Sequence, residues 1–179
     1  MSSQAWFTLL IVAVALERGV ELVTSRRNAR WSLAQGGVET GRLHYPLMVA
    51  LHTAFLVGVL LEVWLRRPDF LPALGWPMLV LVVAAQALRW WCIGSLGQHW
   101  NTRVIVIPGV RPVRRGPYRF LAHPNYLAVV VEGVALPLVH SAWITAVAFT
   151  VANAVLLRTR LQVENDALAT LPTLRRAVS

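Results

Sequence analysis

Five apolar runs, at about residues 4–24, 43–65, 73–93, 124–139 and 142–157, fill most of this 179-residue chain. No other feature constrains the fold as much. About 20 apolar residues in a helix cross a bilayer, and a helix satisfies its own backbone hydrogen bonds there. A water-soluble domain cannot hide this much apolar surface: 56% of the residues are hydrophobic and 14% charged, with a mean hydropathy of +0.56. Ordinary soluble domains are much more polar. The expectation is an all-α integral membrane protein with about five transmembrane helices, forming a single domain over residues 1–179.

The first run, Gln4–Thr24, has no basic leader and no clear cleavage site, and reads as a retained helix rather than a signal peptide. Gly36, Gly37 and Gly41 mark turns in loop 1 (Ser25–Arg42), and Arg66-Arg67-Pro68-Asp69 forms a short loop 2. Loop 3 is Gly94–His123, in which Val104–Ile107 reads as extended or interfacial. The fourth and fifth runs turn at His140-Ser141 and read as a helical hairpin, with Arg158–Leu168 carrying the last helix out of the bilayer.

All seventeen basic residues are Arg. Thirteen lie in loop 1, in loop 3 or after the fifth run, against two in loop 2. The positive-inside rule then places loops 1 and 3 and the C-terminus in the cytoplasm, and the N-terminus outside. This distribution explains the formal charge of +9 without nucleic acid, and no nucleic-acid partner is expected. The single cysteine, Cys92, excludes an internal disulfide and a CxxC site. His44 and His52 share a helical face but stand about 12 Å apart along the axis, so no metal is expected.

Chemistry concentrates at Gly116-Pro117-Tyr118-Arg119-Phe120-Leu121-Ala122-His123-Pro124-Asn125-Tyr126, at the mouth of the fourth run. Pro124 suits the first turn of a helix. His123, Asn125 and Tyr126 then surround a helix N-terminus, where an anionic group is favoured. The proposed hairpin returns Arg158, Arg160 and Glu164 to the same face; the spacing alone fits either a site built there or positive-inside anchors with His123 as a helix cap. Arg160 and Glu164, at i and i+4, can pair on one side of a helix.

The G-P-Y-x4-H-P-N-Y pattern with a late Arg-x3-Glu resembles the isoprenylcysteine carboxyl methyltransferase family, integral membrane enzymes that use S-adenosylmethionine. The longer run Gly97–Tyr126, with Trp100-Asn101-Thr102-Arg103-Val104-Ile105-Val106, is most similar to a bacterial branch associated with type III polyketide synthases. That branch O-methylates alkylpyrones and alkylresorcinols. The resemblance is dense over about residues 95–168 and looser over Glu17–His52. It implies S-adenosylmethionine as cofactor, with Gly116, Pro117, Tyr118, Arg119, His123, Pro124, Asn125 and Tyr126 as its binding residues. It places Arg160 and Glu164 at the cofactor or the reacting group. His99, just past the third run, is a further candidate base or cofactor contact. Two positions depart from the family pattern: Ala122 stands where an Arg is usual, and Val163 where a second acid is common. Arg119 is the candidate substitute for the missing Arg.

Charges inside spans usually face one another or a wet cavity. Glu17, Arg18, Glu21, Arg89 and Glu132 accordingly read as an interhelical ion-pair cluster, with Glu132 the hardest to assign a purely structural part. Glu62, near the outer end of the second run, reads as snorkelling to water.

The function that follows is methyl transfer from S-adenosylmethionine to an oxygen of a lipophilic small molecule at the cytoplasmic face of the bacterial membrane. Membrane lipid is the other expected partner, and the oligomeric state is not legible. A prenylcysteine carboxyl methyltransferase, a phospholipid N-methyltransferase, a dinucleotide-dependent membrane reductase and a non-catalytic membrane scaffold remain as alternatives. There is no GxGxxG, so a nucleotide-like cofactor would not bind by the Rossmann device.

Overall fold

The computed structural model describes residues 2–41, 44–110 and 113–177. Among them are five α-helices: α1 (Ser3–Ala34), α2 (His44–Arg66), α3 (Pro72–Leu96), α4 (Pro124–Leu138) and α5 (Trp143–Ala177). Two three-residue strands, β1 (Val38–Thr40) and β2 (Val104–Val106), pair antiparallel, with Glu39 opposite Ile105. Two 3-10 turns, Gly97–His99 and Gly116–Arg119, complete the connection between α3 and α4.

The helices wear their apolar residues outside. Leu9, Val12, Leu16, Val20 and Val23 form an exposed stripe on α1, and Ile144, Val147, Val151 and Val155 form another on α5. Spacings of three and four place each set on one helical face. Much of the polar chemistry is inside, with Glu21, Glu62, Arg89 and Glu132 all buried. That inversion suits a lipid surround. Three segments, Tyr45–Arg66, Pro72–His99 and Trp143–Glu164, are long and apolar enough to cross a membrane, and the protein is an integral membrane protein. Helix α4, with 15 residues, is shorter, and α1 is interrupted by Glu17, Arg18 and Glu21. The core joins Phe7 and Ile11 of α1, Phe55 and Val59 of α2, Val82 of α3, Leu136 of α4 and Phe149 of α5. Helices α4 and α5 approach closely because residue 133 is Gly; a Cβ there would overlap the Phe149 ring.

Helix α1 does not end near Thr24 but runs to Ala34. No Pro or Gly intervenes before Gly36, whose φ of +78° ends the helix as glycine commonly does. Its added turns are anchored to the α3–α4 connection. Asn28 Nδ2 donates to the carbonyls of Gly97 (3.1 Å) and Trp100 (2.8 Å), and the Thr102 amide donates to Ser25 Oγ (3.0 Å). Arg26, Arg27 and Arg30 therefore ride on a helix, not in a loop.

The intramembrane charges do form an ion-pair cluster, and it ties α1 to α3 and α4. Arg18 donates to Glu21 (2.9 Å) and to Gln86 (2.8 Å), and lies 3.8 Å from Glu132. Arg89 pairs with Glu132 and lies 3.7 Å from Glu21. Gln86 and Trp90 both donate to Glu17. Each charge thus has partners, which the low dielectric of this region requires.

Glu62 is not a snorkelling surface residue. It is 9% exposed, and its carboxylate accepts from the amides of Ile144 (3.1 Å) and Thr145 (2.8 Å) and from the Thr145 hydroxyl (2.7 Å). Those amides are orphan donors of the first turn of α5. An anion at a helix N-terminus is stabilised both by these bonds and by the helix dipole, so a side chain of α2 caps α5.

The turn joining α4 and α5 buries His140 completely, against the rings of Phe7 and Phe70. Neither ring nitrogen has a hydrogen-bond partner among the described residues. Burial holds the imidazole below its ordinary pKa of 6.5, which favours the neutral ring in the folded protein. Unfolding lets it take up a proton below that pH. Stability should therefore be full above pH 6.5 and decline as the pH falls below it. Thermal melts in detergent at pH 8 and pH 5 should show this decline, reduced in His140→Phe; an equal decline in both proteins would exclude His140 as its source.

Candidate active site

The site is assembled from the α3–α4 connection and the facing ends of α4 and α5. The Gly116–Arg119 turn docks on the end of α3. Gly116 has φ +58°, and a Cβ there would overlap Ser95 Oγ, so both conformation and space call for glycine. Arg115 Nε donates to the Ser95 carbonyl (2.6 Å), and Pro117 is buried at the start of the turn. Tyr118 is thereby set beside Cys92. Burial, and then the neighbouring thiol, raise its pKa above the usual phenol range, so it stays a neutral hydroxyl.

Helix α4 starts at Pro124, whose missing N–H costs nothing in a first turn. His123 occupies the N-cap position but makes no capping bond with its side chain. Its ring instead stacks on Tyr126, with centroids 5.2 Å apart, and its Nδ1 lies 3.7 Å from a Glu164 oxygen. Tyr126 then joins α4 to α5. Its hydroxyl donates to Glu164 and accepts from Arg160 Nε (2.8 Å). The i, i+4 pair expected between Arg160 and Glu164 is thus bridged by a phenol from another helix. The tyrosine oxygen lies between the two side chains and uses its donor and an acceptor site together.

These groups face a cavity of about 170 Å³. His99, Tyr118, His123, Asn125, Tyr126, Arg160 and Glu164 all line it. His99 reaches it from the Gly97–His99 turn, its ring edge-on to Trp31 at 5.2 Å. Gly116, Pro117 and Pro124 do not line it and act by placing their neighbours. Arg119 also lies outside it, exposed, with its guanidinium over the Phe120 ring. Ala122 itself lines the cavity.

Asn101 and Arg103, to which the sequence reading gave no role, line the cavity as well. Their signal was present in the Trp100–Val106 run, but their placement depends on tertiary contact: Asn101 Nδ2 donates to Ser32 Oγ of α1 (3.3 Å), and Arg103 lies 3.5 Å from Glu39 of β1. The side-chain oxygens of Asn101 and Asn125 are buried without a hydrogen-bond partner among the described residues. Two orphaned acceptors beside a guanidinium suit a ligand with amino or hydroxyl donors and a carboxylate. Among the described residues, no group of three or more His, Cys, Asp or Glu side chains is placed to hold a metal ion.

The sequence pattern of the isoprenylcysteine carboxyl methyltransferase (ICMT) family matches residues 78–170, the stretch that supplies most of α3, the α3–α4 connection, α4 and most of α5. The Bacillus subtilis (strain 168) protein YpbQ, described as uncharacterized, is 36% identical over 163 residues, covering 90% of this chain and 96% of that protein. No solved structure matches the chain. With its family-specific segment building the cavity and its similarity to a relative extending over nearly the whole chain, the protein belongs to the isoprenylcysteine carboxyl methyltransferase family, a family of membrane-associated methyltransferases that use S-adenosylmethionine.

Proposed function

We propose that the protein is an S-adenosylmethionine-dependent O-methyltransferase whose acceptor is a long-chain alkylpyrone or alkylresorcinol. The observation that carries this reading is the Tyr126 hydroxyl, which links Arg160 and Glu164 at the wall of a cavity also lined by Asn101 and Asn125, whose carboxamide oxygens have no hydrogen-bond partner among the described residues. In this reading the 1–179 chain is a single domain of five spans, with α4 and α5 as a hairpin. The N-terminus lies outside, and the cavity opens to the cytoplasm, from which a soluble donor would arrive. Cysteine tags in the connection between α3 and α4 should resist an impermeant reagent in intact cells, while a tag at Asp69 should react. The reverse pattern would invert this topology.

When bound, S-adenosylmethionine supplies a methyl group already activated by the adjacent sulfonium. Tyr118, His123, Asn125 and Tyr126 hold its polar groups, supported from behind by Gly116, Pro117 and Pro124. Arg160 orients the acceptor oxygen, and His99 or Glu164 takes its proton when the acceptor is a phenol. A phenol ionises near pH 10 and benefits from such a base, whereas an acidic enol needs less help. The rest of the protein's contribution is alignment of two reactants in a site screened from water.

The acceptor assignment rests on three features: the resemblance of the Gly97–Tyr126 run to the bacterial branch, the membrane-embedded scaffold and the shape of a small amphiphile. A tail in lipid and a hydroxylated head at the cytoplasmic face suit this placement. The test has two arms. Calorimetric titration of detergent-purified protein should show binding of S-adenosylmethionine and S-adenosylhomocysteine but not NADPH, with His123→Ala and Tyr126→Phe weakening it about tenfold or more, the scale of one lost hydrogen bond or stacking contact. Unchanged affinity in both variants would remove this stretch from the cofactor site. In the second arm, radiolabelled methyl should transfer to long-chain alkylpyrones or alkylresorcinols and poorly to short-chain analogues, N-acetyl-farnesylcysteine or phosphatidylethanolamine. Efficient labelling of the farnesylcysteine alone would assign the protein to the prenylcysteine reaction instead.

A further inference from the structure

A second, smaller crevice of about 20 Å³ lies between α2, α5 and the β1–β2 pair, bounded by Thr40, Tyr45, Met48, Arg103, Leu156 and Arg160. Arg160 lines this crevice and the larger cavity alike. Its Nε bonds to the Tyr126 hydroxyl on one side, while Nη1 lies against the Met48 sulfur at 2.7 Å on the other. Among the described residues no carboxylate pairs with this guanidinium; its neighbours are a phenol and a thioether. A thioether is a weak acceptor, and an oxyanion would bind the same N–H groups far more strongly. Thr40 also lines the crevice, and its hydroxyl is buried without a hydrogen-bond partner among the described residues. The Tyr45 ring lies under the Arg103 guanidinium at 4.8 Å, and Arg103 is 3.5 Å from Glu39, so this wall is a braced aromatic face. Leu47 on α2 and Val155 on α5, each next in sequence to a residue that lines the crevice, are exposed and apolar.

We propose that this crevice between α2 and α5 receives the acceptor's hydroxylated ring, and that Met48 is the displaceable residue that selects it. The inference rests on the methyltransferase reading above. The ionised ring oxygen takes the Arg160 Nη1 now covered by Met48, and a second ring oxygen meets Thr40. The alkyl tail leaves between α2 and α5 into lipid. The crevice is too small for a ring while Met48 points inward, and an unbranched methionine with three rotatable bonds is well suited to swing aside. The ligand class is a flat ring with two oxygens, one of them acidic, which distinguishes it from a flexible carboxylate.

The experiment uses full-length protein in lipid nanodiscs, S-adenosylmethionine titrated by calorimetry and a pentadecyl-substituted resorcinol as acceptor. Met48→Trp should raise the KM for the resorcinol about tenfold or more, as a filled pocket does. Met48→Leu, of similar volume but branched and less flexible, should raise it less than Met48→Trp does. Thr40→Val should raise KM by about fivefold to tenfold, the value of one hydrogen bond. The affinity for S-adenosylmethionine should stay within about twofold in all three, which also reports that they fold. Normal cofactor affinity with an unchanged resorcinol KM in Met48→Trp and Thr40→Val would overturn this proposal alone. Wild-type protein that binds the cofactor but does not methylate the resorcinol would also overturn it. Failure of the wild type to bind S-adenosylmethionine would overturn the parent reading, and this one with it.

Discussion

Arg89→Met should destabilise the protein by about 3–5 kcal/mol, the range for removing one partner of a buried pair. Arg89 is 5% exposed and pairs with Glu132, which is 6% exposed, with Glu21 beside it. Its loss leaves Glu17, Glu21 and Glu132 against Arg18 alone. The double variant Arg89→Met with Glu132→Leu should recover most of the loss, because an apolar pair of similar volume often matches a buried ion pair. Unfolding in detergent, followed by loss of S-adenosylmethionine binding, measures both. Equal destabilisation by the single and double variants would mean that the two charges do not act as a pair. The position of this cluster explains why the effect should be large. It joins α1, whose own span is interrupted by charge, to the α3 and α4 helices that carry the cavity.

Arg160→Ala should lower kcat/KM for methyl transfer by about a hundredfold to a thousandfold, the range seen when one oriented donor is lost from a reacting centre. Glu164→Gln separates two parts that this carboxylate can play. If it takes the acceptor proton, the loss should be about a hundredfold or more with a phenolic resorcinol and much smaller with an acidic pyrone, which ionises unaided. If Glu164 only holds Tyr126 and His123 in place, both acceptors should suffer alike, and S-adenosylmethionine affinity should fall as well. Steady-state rates with both acceptors, together with calorimetry, distinguish these cases. Full activity of Arg160→Ala would remove this residue from the reacting centre.

The comparison of sequence with structure turns on where each kind of information resides. The apolar runs sufficed for an all-α membrane protein because hydropathy and helix length are properties of a contiguous stretch. The G-P-Y…H-P-N-Y pattern sufficed to mark the cavity's rim and the family, since turn residues, a first-turn proline and their neighbours act locally. Pairing of the intramembrane charges was legible too, because an unpaired charge in that region is so costly that partners must exist. Their identities were not legible: that Arg18 meets Gln86 and Arg89 meets Glu132 depends on helix rotation and depth.

Three matters were decided only by tertiary contact. Glu62 resembles a surface acid until α5 brings its unsatisfied amides against it. Arg160 and Glu164 have the spacing of a direct pair, but Tyr126 from α4 offers one oxygen that serves both. Val38-Glu39-Thr40 reads as loop; only its pairing with Val104–Val106 makes it a strand and brings Thr40 and Arg103 to the wall of the α2–α5 crevice. The sequence by itself determined the solvent this chain folds in, the number of its helices and a stretch that lines its main cavity. The partners of the buried polar groups were left to the tertiary structure, because hydrogen bonds and ion pairs depend on direction and distance between segments far apart in the chain.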